Sequence, residues 1–417
     1  MSAPGPRVSS EAANEHMEEL TSLTDTAGAE IVGTLHQRIE SPHPAYYIGT
    51  GKVRELREVV DQSAATLVIF DEDLSPVQGR KLERDLGVRV MDRTELIIDI
   101  FALRARSAEA KMQVELAQLH YLMPRLRRMW SHLSRIRGGI GLRGPGEMQL
   151  ESDRRMIRRR IGDLKRRLTR VATQRETQRK GRVGEFQVAL VGYTNAGKSS
   201  ILRTLSGSDL FVENILFATL DPATRMVDLG KGYQALFTDT VGFIRKLPHD
   251  LVASFRATLE EVGQADLLCH VVDISHRSWE QQHEVVEGVL AELGIQAKQP
   301  LVVFNKVDRL THAEEEALAE RASAVLGPSV FTSTREAEGL APLRVAIREA
   351  IRQRWPPVRL TLPATDGSVL AEVYREGEVL SRDERGDRIE ITVRLPSEVV
   401  GRLRARNGLE VTELPAA

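Results

Sequence analysis

The chain has 417 residues, of which 41% are hydrophobic and 28% are charged, and its formal net charge is -1. This length predicts roughly two to four domains with buried cores, and the composition is typical of water-soluble globular proteins. No uncharged apolar stretch approaches about eighteen residues, so we expect no transmembrane helix. The single cysteine, Cys269, excludes a disulfide or a cysteine-based zinc site within one chain. The N-terminus lacks the pattern of a signal peptide, and we expect a cytoplasmic location.

Residues 1–26 are predicted to form a disordered tail. Residues 27–105 alternate short apolar runs with helical stretches, which predicts a small N-terminal α/β domain. Its expected strands are IVGTL, YYIG, TLVIFD and VRVMD. The string GTGK at 49–52 resembles a phosphate loop, but Tyr46 stands where the first glycine belongs and Val53 where Ser or Thr belongs. We therefore predict a strand-to-helix turn there.

Residues 106–182 are predicted to form a basic helical hairpin. Two runs with helical periodicity flank a tip at 137–146, whose five glycines and one proline cannot continue a helix. Residues 125–182 contain 19 Lys and Arg against five Asp and Glu. Such asymmetry indicates a surface for a polyanion such as RNA, although each single arginine is as readily explained by a solvated face. The candidate rRNA-binding residues are Arg137, Arg143, Arg154, Arg155, Arg158 and Arg159.

In the next segment, residues 183–355, apolar strands alternate with amphipathic helices, which predicts a doubly wound parallel sheet. The string WPP at 355–357 marks a linker, and residues 356–417 read as a small C-terminal α+β domain. The ten histidines show no metal-ligand spacing such as H-E-x-x-H, so we do not expect catalytic zinc.

The string GYTNAGKSS follows the strand VALV and precedes a helix, so it fits the phosphate-loop motif G-x-x-x-x-G-K-[ST] in its required context. Backbone N–H groups of such a loop and the helix N-terminus bind phosphate. Lys198 is expected to reach the β- and γ-phosphates, and Ser199 the Mg²⁺ ion. The predicted nucleotide contacts here are Gly192, Tyr193, Thr194, Asn195, Ala196, Gly197, Lys198, Ser199 and Ser200.

The second motif, DTVG, lies 41 residues beyond Lys198, at the end of an apolar strand. Asp239 is expected to hold Mg²⁺ through water and the Gly242 N–H to sense the γ-phosphate. Between the two motifs, Thr219 and Thr224 are the candidates for a second hydroxyl on Mg²⁺, and the family resemblance named below favours Thr219. The predicted nucleotide contacts of these segments are Phe217, Ala218, Thr219, Leu220, Asp221, Asp239, Thr240, Val241 and Gly242.

The third motif, NKVD, argues for guanine, because the Asp308 carboxylate can accept hydrogen bonds from N–H groups that adenine lacks. The string STREAEGL follows as the last guanine loop, with Thr334 where Ala is usual. The predicted base contacts are Asn305, Lys306, Val307, Asp308, Ser333, Thr334 and Arg335. Together the four motifs predict a Ras-like, Mg²⁺-dependent P-loop GTPase domain.

The candidate catalytic residues are Lys198, Thr219 and Gly242. Ras-like enzymes place a water-orienting Gln directly after DxxG, but Phe243 stands there and cannot do this. We therefore expect slow intrinsic hydrolysis that a partner or a cation stimulates. Asn195 either matches a pattern of potassium-activated GTPases, which would add K⁺ as a cofactor, or serves as a loop-stabilising amide.

The strings RGPGEMQLESDRR, FATLDPATR and DTVGFIRKLPHDL, together with the motifs above, resemble the HflX family of translational GTPases over residues 30–355. Met148 departs from the usual Thr of that family. The resemblance implies binding to the large ribosomal subunit, with the 137–146 tip near the peptidyl-transferase centre, and help in splitting stalled or stressed ribosomes. We expect a monomer that binds GTP and GDP. The alternatives are an ATP-using RNA-remodelling enzyme acting through the N-terminal domain and an RNA-binding scaffold with a vestigial nucleotide site.

Overall fold

The computed structural model describes residues 1–6, 8–126, 145–180, 185–207, 215–248, 251, 262–295, 299–325, 327–406 and 408–414. The chain divides into two compact units. The first comprises Met1–Gln174, Asn214–Asp221 and Lys246–Arg256, and the second comprises Arg175–Glu213, Pro222–Arg245 and Ala257–Ala417. None of the described helices is both long and apolar enough to cross a membrane.

The first unit begins as an α/β domain and ends in two long helices. Its elements are α1 (Ser10–Thr26), α2 (Thr50–Ser63), β1 (Leu67–Phe70), α3 (Pro76–Leu86), β2 (Arg89–Asp92), α4 (Arg93–Arg104), α5 (Ala108–Leu126) and α6 (Pro145–Lys180), whose last residues fall in the second unit. Strands β1 and β2 are parallel, with Leu67 opposite Arg89. The two ends of helix α3 are set by its capping residues. Ser75 and Gln78 form a capping box at its start, and Gly87 ends the helix in the left-handed region.

The N-terminal residues differ from the expected disordered tail. Ser9 caps α1 by accepting a hydrogen bond from the N–H of Ala12, and Met17, Leu20 and Leu23 are buried along one side of the helix. These apolar residues lie only in the second half of a polar stretch, so their periodicity is weak in the sequence. Burial of that side stabilises a helix whose own propensity would not.

Two expected strands of this domain are also absent. IVGTL forms no strand, because residues 1–3 lie between its end and the strand β1: Ser2 N–H donates to Leu35 O at 3.0 Å, and Asp71 N–H donates to Met1 O at 3.0 Å. YYIG is a turn closed by an isolated bridge between His43 and Tyr47. A short apolar run carries no information about which distant segment pairs with β1.

Helices α5 and α6 pack against each other through Leu116, Ile161 and Leu164. Arg160 also donates two hydrogen bonds to Glu115, from Nε at 2.6 Å and from Nη2 at 2.8 Å. The predicted hairpin therefore has helices at Ala108–Leu126 and Pro145–Lys180, and residues 127–136 of its first predicted run lie outside the described residues. The helix α6 begins at Pro145, so the last two residues of the predicted tip are helical, because the first turn of a helix tolerates proline. Residues 137–144 of that tip lie outside the described residues.

The second unit contains a six-stranded sheet that carries the nucleotide motifs. Its elements are β3 (Gln187–Gly192), α7 (Lys198–Ser206), β4 (Ala223–Gly230), β5 (Tyr233–Asp239), β6 (Leu267–Asp273), α8 (Trp279–Glu292), β7 (Leu301–Asn305), α9 (His312–Val325), β8 (Ser329–Thr332) and α10 (Ala341–Arg354). The strand order is β4-β5-β3-β6-β7-β8. All neighbours are parallel except β4 and β5, which form an antiparallel edge that the sequence analysis missed.

The C-terminal part of this unit is an antiparallel sheet with two helices. Its elements are β9 (Pro357–Pro363), α11 (Gly367–Glu376), β10 (Glu378–Arg385), β11 (Arg388–Arg394), α12 (Ser397–Arg404) and β12 (Glu410–Glu413). The strand order β10-β11-β9-β12 gives the split βαβ topology of ferredoxin-like domains. Val358, Leu360, Ile391 and Val393 alternate with exposed or half-buried polar residues, so one face of the sheet holds the core.

Candidate nucleotide-binding site

The phosphate loop joins β3 to α7, and its two key glycines have no room for a side chain. Gly192 has φ +152°, and a Cβ there would lie 2.2 Å from the carbonyl oxygen of Val271. Gly197 has φ +101°, and a Cβ there would lie 2.1 Å from Nδ2 of Asn305. Only glycine tolerates these positions, and the bare backbone lets its N–H groups approach a phosphate closely.

Lys198, the first residue of α7, is buried beneath this loop. Its Nζ donates hydrogen bonds to Gly192 O at 3.1 Å and to Tyr193 O at 2.9 Å. Burial lowers the pKa of Lys198 to about 8, and Asp239 opposes that shift. The ammonium group is therefore held inside the loop, where the negative charge of a bound phosphate would favour its protonated form.

Ser199 and Asp239 meet at the expected magnesium position. The hydroxyl of Ser199 donates to Asp239 Oδ2 at 2.5 Å, although 40 residues separate them in the chain. Asp239 ends β5 and is buried. A hydroxyl beside a carboxylate offers the oxygen donors that Mg²⁺ prefers, so the residues fit this ion. Held by these residues, Mg²⁺ would supply positive charge that offsets the negative charge of a bound phosphate.

The DTVG segment lies against the phosphate loop. The N–H of Phe243 donates to Gly192 O at 3.1 Å, and the N–H of Thr194 donates to Phe243 O at 2.7 Å. A Cβ on Gly242 would lie 2.7 Å from the Cα of Thr194, which excludes any other residue without a backbone shift. Thr240 is buried and donates from Oγ1 to Leu190 O at 2.8 Å. The segment is thus fixed to β3 next to the loop.

The NKVD residues connect the base side of the site to the phosphate loop. Asn305 is buried and donates from Nδ2 to Ala196 O at 2.9 Å. Lys306 adopts φ +68° and donates from Nζ to Asn195 O at 2.8 Å and to Asp273 Oδ2 at 2.7 Å. Asp273 is a further residue of this site that was not predicted from the sequence. It ends β6 opposite Asn305, and its position at the carboxyl end of a parallel strand could have indicated it.

The last loop orients the carboxylate that would read guanine. Ser333 is buried and donates from Oγ to Asp308 Oδ1 at 2.7 Å. The same oxygen of Ser333 accepts from the N–H of Arg335 at 3.1 Å, which closes a tight turn. Thr334, the departure from the usual alanine, is half-buried. The turn is formed with this residue present.

Three family models match consecutive parts of the chain: "GTP-binding GTPase N-terminal" over residues 14–102, "GTP-binding GTPase Middle Region" over 104–182 and "50S ribosome-binding GTPase" over 187–306. A GTPase HflX from Magnetococcus marinus is 45% identical over 416 residues, covering 98% of this chain and 95% of the relative. The chain belongs to the GTPase HflX family. A GTPase HflX from Escherichia coli is 42% identical over 388 residues, covering 92% of this chain and 90% of the relative.

This HflX-family protein is therefore an enzyme that binds GTP and hydrolyses it to GDP, and its P-loop GTPase fold implies Mg²⁺ as the cofactor. Among solved structures, a GTP-binding protein from the archaeon Sulfolobus solfataricus in complex with GDP is 26% identical, with a TM-score of 0.44. That similarity covers 85% of this chain and 99% of the archaeal chain.

The position that holds a catalytic Gln in Ras-like enzymes is a core position in this HflX-family chain. The Phe243 side chain is 1% exposed, and its backbone forms a bridge with Tyr193. It does not face solvent from which an attacking water would come. The site geometry thus agrees with the expectation that the residue after DTVG orients no water.

The segment 217–221 groups with the first unit, so its role in nucleotide binding stays a prediction. Phe217 is buried and packs edge-on against Phe101, with ring centroids 4.6 Å apart. The Asp221 carboxylate accepts from the N–H groups of Arg106 and Ser107, at 3.1 and 3.0 Å. The rival hydroxyl, Thr224, lies in β4 within 3.2 Å of the Thr238 hydroxyl.

Four of the six predicted rRNA-binding arginines lie on α6: Arg154, Arg155, Arg158 and Arg159. The other two, Arg137 and Arg143, lie outside the described residues. On α5, Tyr121 is buried and donates from its hydroxyl to Asp92 at 3.0 Å.

Proposed function

We propose that this HflX-family GTPase binds the large ribosomal subunit and dissociates stalled or stressed ribosomes, with GTP hydrolysis as the release step. The observation that carries the proposal is the basic side of α6. Arg155, Arg158 and Arg159 are exposed and Arg154 is half-buried. Residues four apart share one side of a helix, so these arginines form two adjacent rows.

Some arginines of α6 form ion pairs with carboxylates of the protein, whereas others have guanidinium groups that can contact an external partner. Arg160 is held by Glu115, and Arg166 pairs with Asp163. Across the part of the chain that the structure describes, no carboxylate pairs with Arg154, Arg158 or Arg159. Unpaired guanidinium groups on one side of a rigid helix suit contacts to rRNA phosphates. The description "50S ribosome-binding GTPase", which the model matching residues 187–306 carries, supports the same partner.

In this proposal the nucleotide sets the affinity for the subunit. Lys198 and the backbone of the phosphate loop hold the β- and γ-phosphates, while Ser199, Asp239 and Thr219 hold Mg²⁺. The Gly242 N–H senses the γ-phosphate, and hydrolysis removes that contact. The remaining predicted contacts of the four motifs line the nucleotide. The protein acts as a cytoplasmic monomer.

The test uses the full chain with a non-hydrolysable GTP analogue and purified large ribosomal subunits. Arg158→Gln combined with Arg159→Gln is expected to weaken co-sedimentation and to reduce the slope of log K against log salt by about two. The matched control is Arg166→Gln on the same helix, whose guanidinium is already paired. Its binding is expected to equal that of the wild type, and intrinsic GTP hydrolysis should be unchanged in all three proteins.

Hydrolysis measured with and without the subunits completes the test. Strong stimulation by the subunits, reduced in the double variant, supports the proposal. If the subunits stimulate no hydrolysis and the double variant binds them like the wild type, the ribosomal function is wrong although the enzyme remains a GTPase.

The same assay in K⁺ and in Na⁺ examines Asn195. This residue is exposed, adopts φ +61° and offers its carbonyl to Lys306. We propose that K⁺ binds beside Asn195 and accelerates hydrolysis. Equal rates in the two salts would assign Asn195 to loop stabilisation alone.

A further inference from the structure

Two histidines and a glutamate come together on the side of the six-stranded sheet that α8 covers. His270 lies within β6, and His283 and Glu287 lie four residues apart on α8, so they share one side of that helix. Their potential ligand atoms all lie within 4.8 Å of one another. None of these residues belongs to the four nucleotide motifs.

The imidazoles carry buried nitrogens without a hydrogen bond. His270 is 1% exposed, and the Nδ1 atoms of His270 and His283 both lack a partner among the described residues. Glu287 Oε1 lies 3.6 Å from His270 Nδ1, which is too long for a hydrogen bond. Buried polar atoms are almost always satisfied, and a bound ion is one of the few explanations for an exception.

We propose that His270, His283 and Glu287 form a binding site for a first-row transition-metal ion of which Zn²⁺ is the representative. Two imidazole nitrogens and one carboxylate oxygen are a donor set that Zn²⁺ accepts, leaving a fourth position for water. Mg²⁺ and Ca²⁺ prefer oxygen donors alone, so the histidines select against them.

The protonation states agree with this role. Burial lowers the pKa of His270, and burial together with the neighbouring His270 lowers the pKa of His283 to about 4. The contact with His270 lowers the pKa of Glu287. At neutral pH both imidazoles are therefore uncharged and the carboxylate is ionised, which are the forms that bind a metal ion.

The geometry also shows what binding requires. The two rings are stacked, with centroids 4.5 Å apart and an angle of 9° between their planes, so their nitrogens do not yet point at one position. His283 is half-buried, and the Glu287 side chain is 47% exposed, so the ion can enter from the α8 side.

The position of the site gives the ion a structural consequence. His270 pairs with Val191 of β3, the residue before the first glycine of the phosphate loop. A metal ion would join α8 to β6 beside the strand that carries the loop. It takes no part in the hydrolysis chemistry.

The experiment uses the full chain without an affinity tag, treated with a chelator and then saturated with GDP and excess Mg²⁺. Titration with Co²⁺ is expected to show binding of one ion per chain and the visible absorption of four-coordinate Co²⁺. Addition of Zn²⁺ should displace the Co²⁺ ion and abolish this absorption. His283→Gln is expected to weaken Co²⁺ binding on the order of 100-fold. Loss of a residue that only hydrogen-bonds to a metal ligand already weakens metal binding by about 10–100-fold, and loss of a ligand itself should cost at least as much.

The matched control is His312→Gln. His312 and Glu316 are also four residues apart on a helix, with Nε2 and Oε1 3.5 Å apart. Both side chains are exposed, and no third ligand joins them among the residues that the structure describes. Co²⁺ binding in this variant should equal that of the wild type. If the wild type binds no stoichiometric Co²⁺, or if His283→Gln binds it equally well, the site does not exist. Neither result bears on the ribosomal function, which needs no ion here.

Discussion

Ser333→Ala tests whether the last loop orients the carboxylate that is predicted to read guanine. The hydroxyl of Ser333 donates to Asp308 Oδ1 at 2.7 Å, and the Asp308 side chain is 15% exposed. Hydrogen bonds to charged groups contribute about 1.5–3 kcal/mol. Because water can replace the hydroxyl at a partly exposed carboxylate, we expect about 1.5 kcal/mol, which is about a tenfold weaker GDP affinity.

The assay is competition of GDP against a fluorescent GDP analogue, with the full chain in Mg²⁺. Thr334→Ala is the matched control, because it removes a hydroxyl from the next residue and restores the usual family residue. Its GDP affinity should stay within about twofold of the wild type. If Ser333→Ala also binds GDP within about twofold, the carboxylate of Asp308 does not depend on this hydrogen bond and the reasoning is refuted.

Three further predictions concern the same site. Asp308→Asn should weaken GDP binding on the order of 100-fold or more and favour xanthosine diphosphate, because the amide NH₂ donates a hydrogen bond where a carboxylate oxygen accepted one. An unchanged base preference in the competition assay would contradict guanine reading at Asp308. Since the pKa of buried Lys198 is about 8, this residue is neutral above that pH and nucleotide binding must restore its proton. GDP affinity should therefore fall by up to about tenfold per pH unit above pH 8 and stay level below it. Calorimetry in buffers of different ionisation enthalpy should show proton uptake at pH 9 and little at pH 7. Phe243→Gln should lower the free energy of unfolding by about 3 kcal/mol, because it buries an amide where a ring was, and should not accelerate GTP hydrolysis. Faster hydrolysis with unchanged thermal melting would show that position 243 faces the attacking water.

The sequence was sufficient to predict site residues wherever these lie in a short segment that needs a particular backbone conformation. Gly192, Gly197 and Lys198 must follow a strand and open a helix, and the structure has that arrangement at β3 and α7. The same holds for Asp239 and Asn305, which end the strands β5 and β7. Such residues are recognisable because their spacing, and not their distant neighbours, determines their chemistry.

The tertiary structure alone decided which distant residues meet. No local pattern places Asp273 beside Lys306, Ser333 beside Asp308, or His270 beside Glu287, since each pair joins separate elements whose distance depends on sheet order and helix packing. The edge strand β4 was missed although its partner β5 follows it directly in the chain, whereas the helix α1 was missed because its packing partners are distant. The polar sequence of α1 becomes a helix because a core formed by residues far away in the chain accepts a few of its apolar side chains.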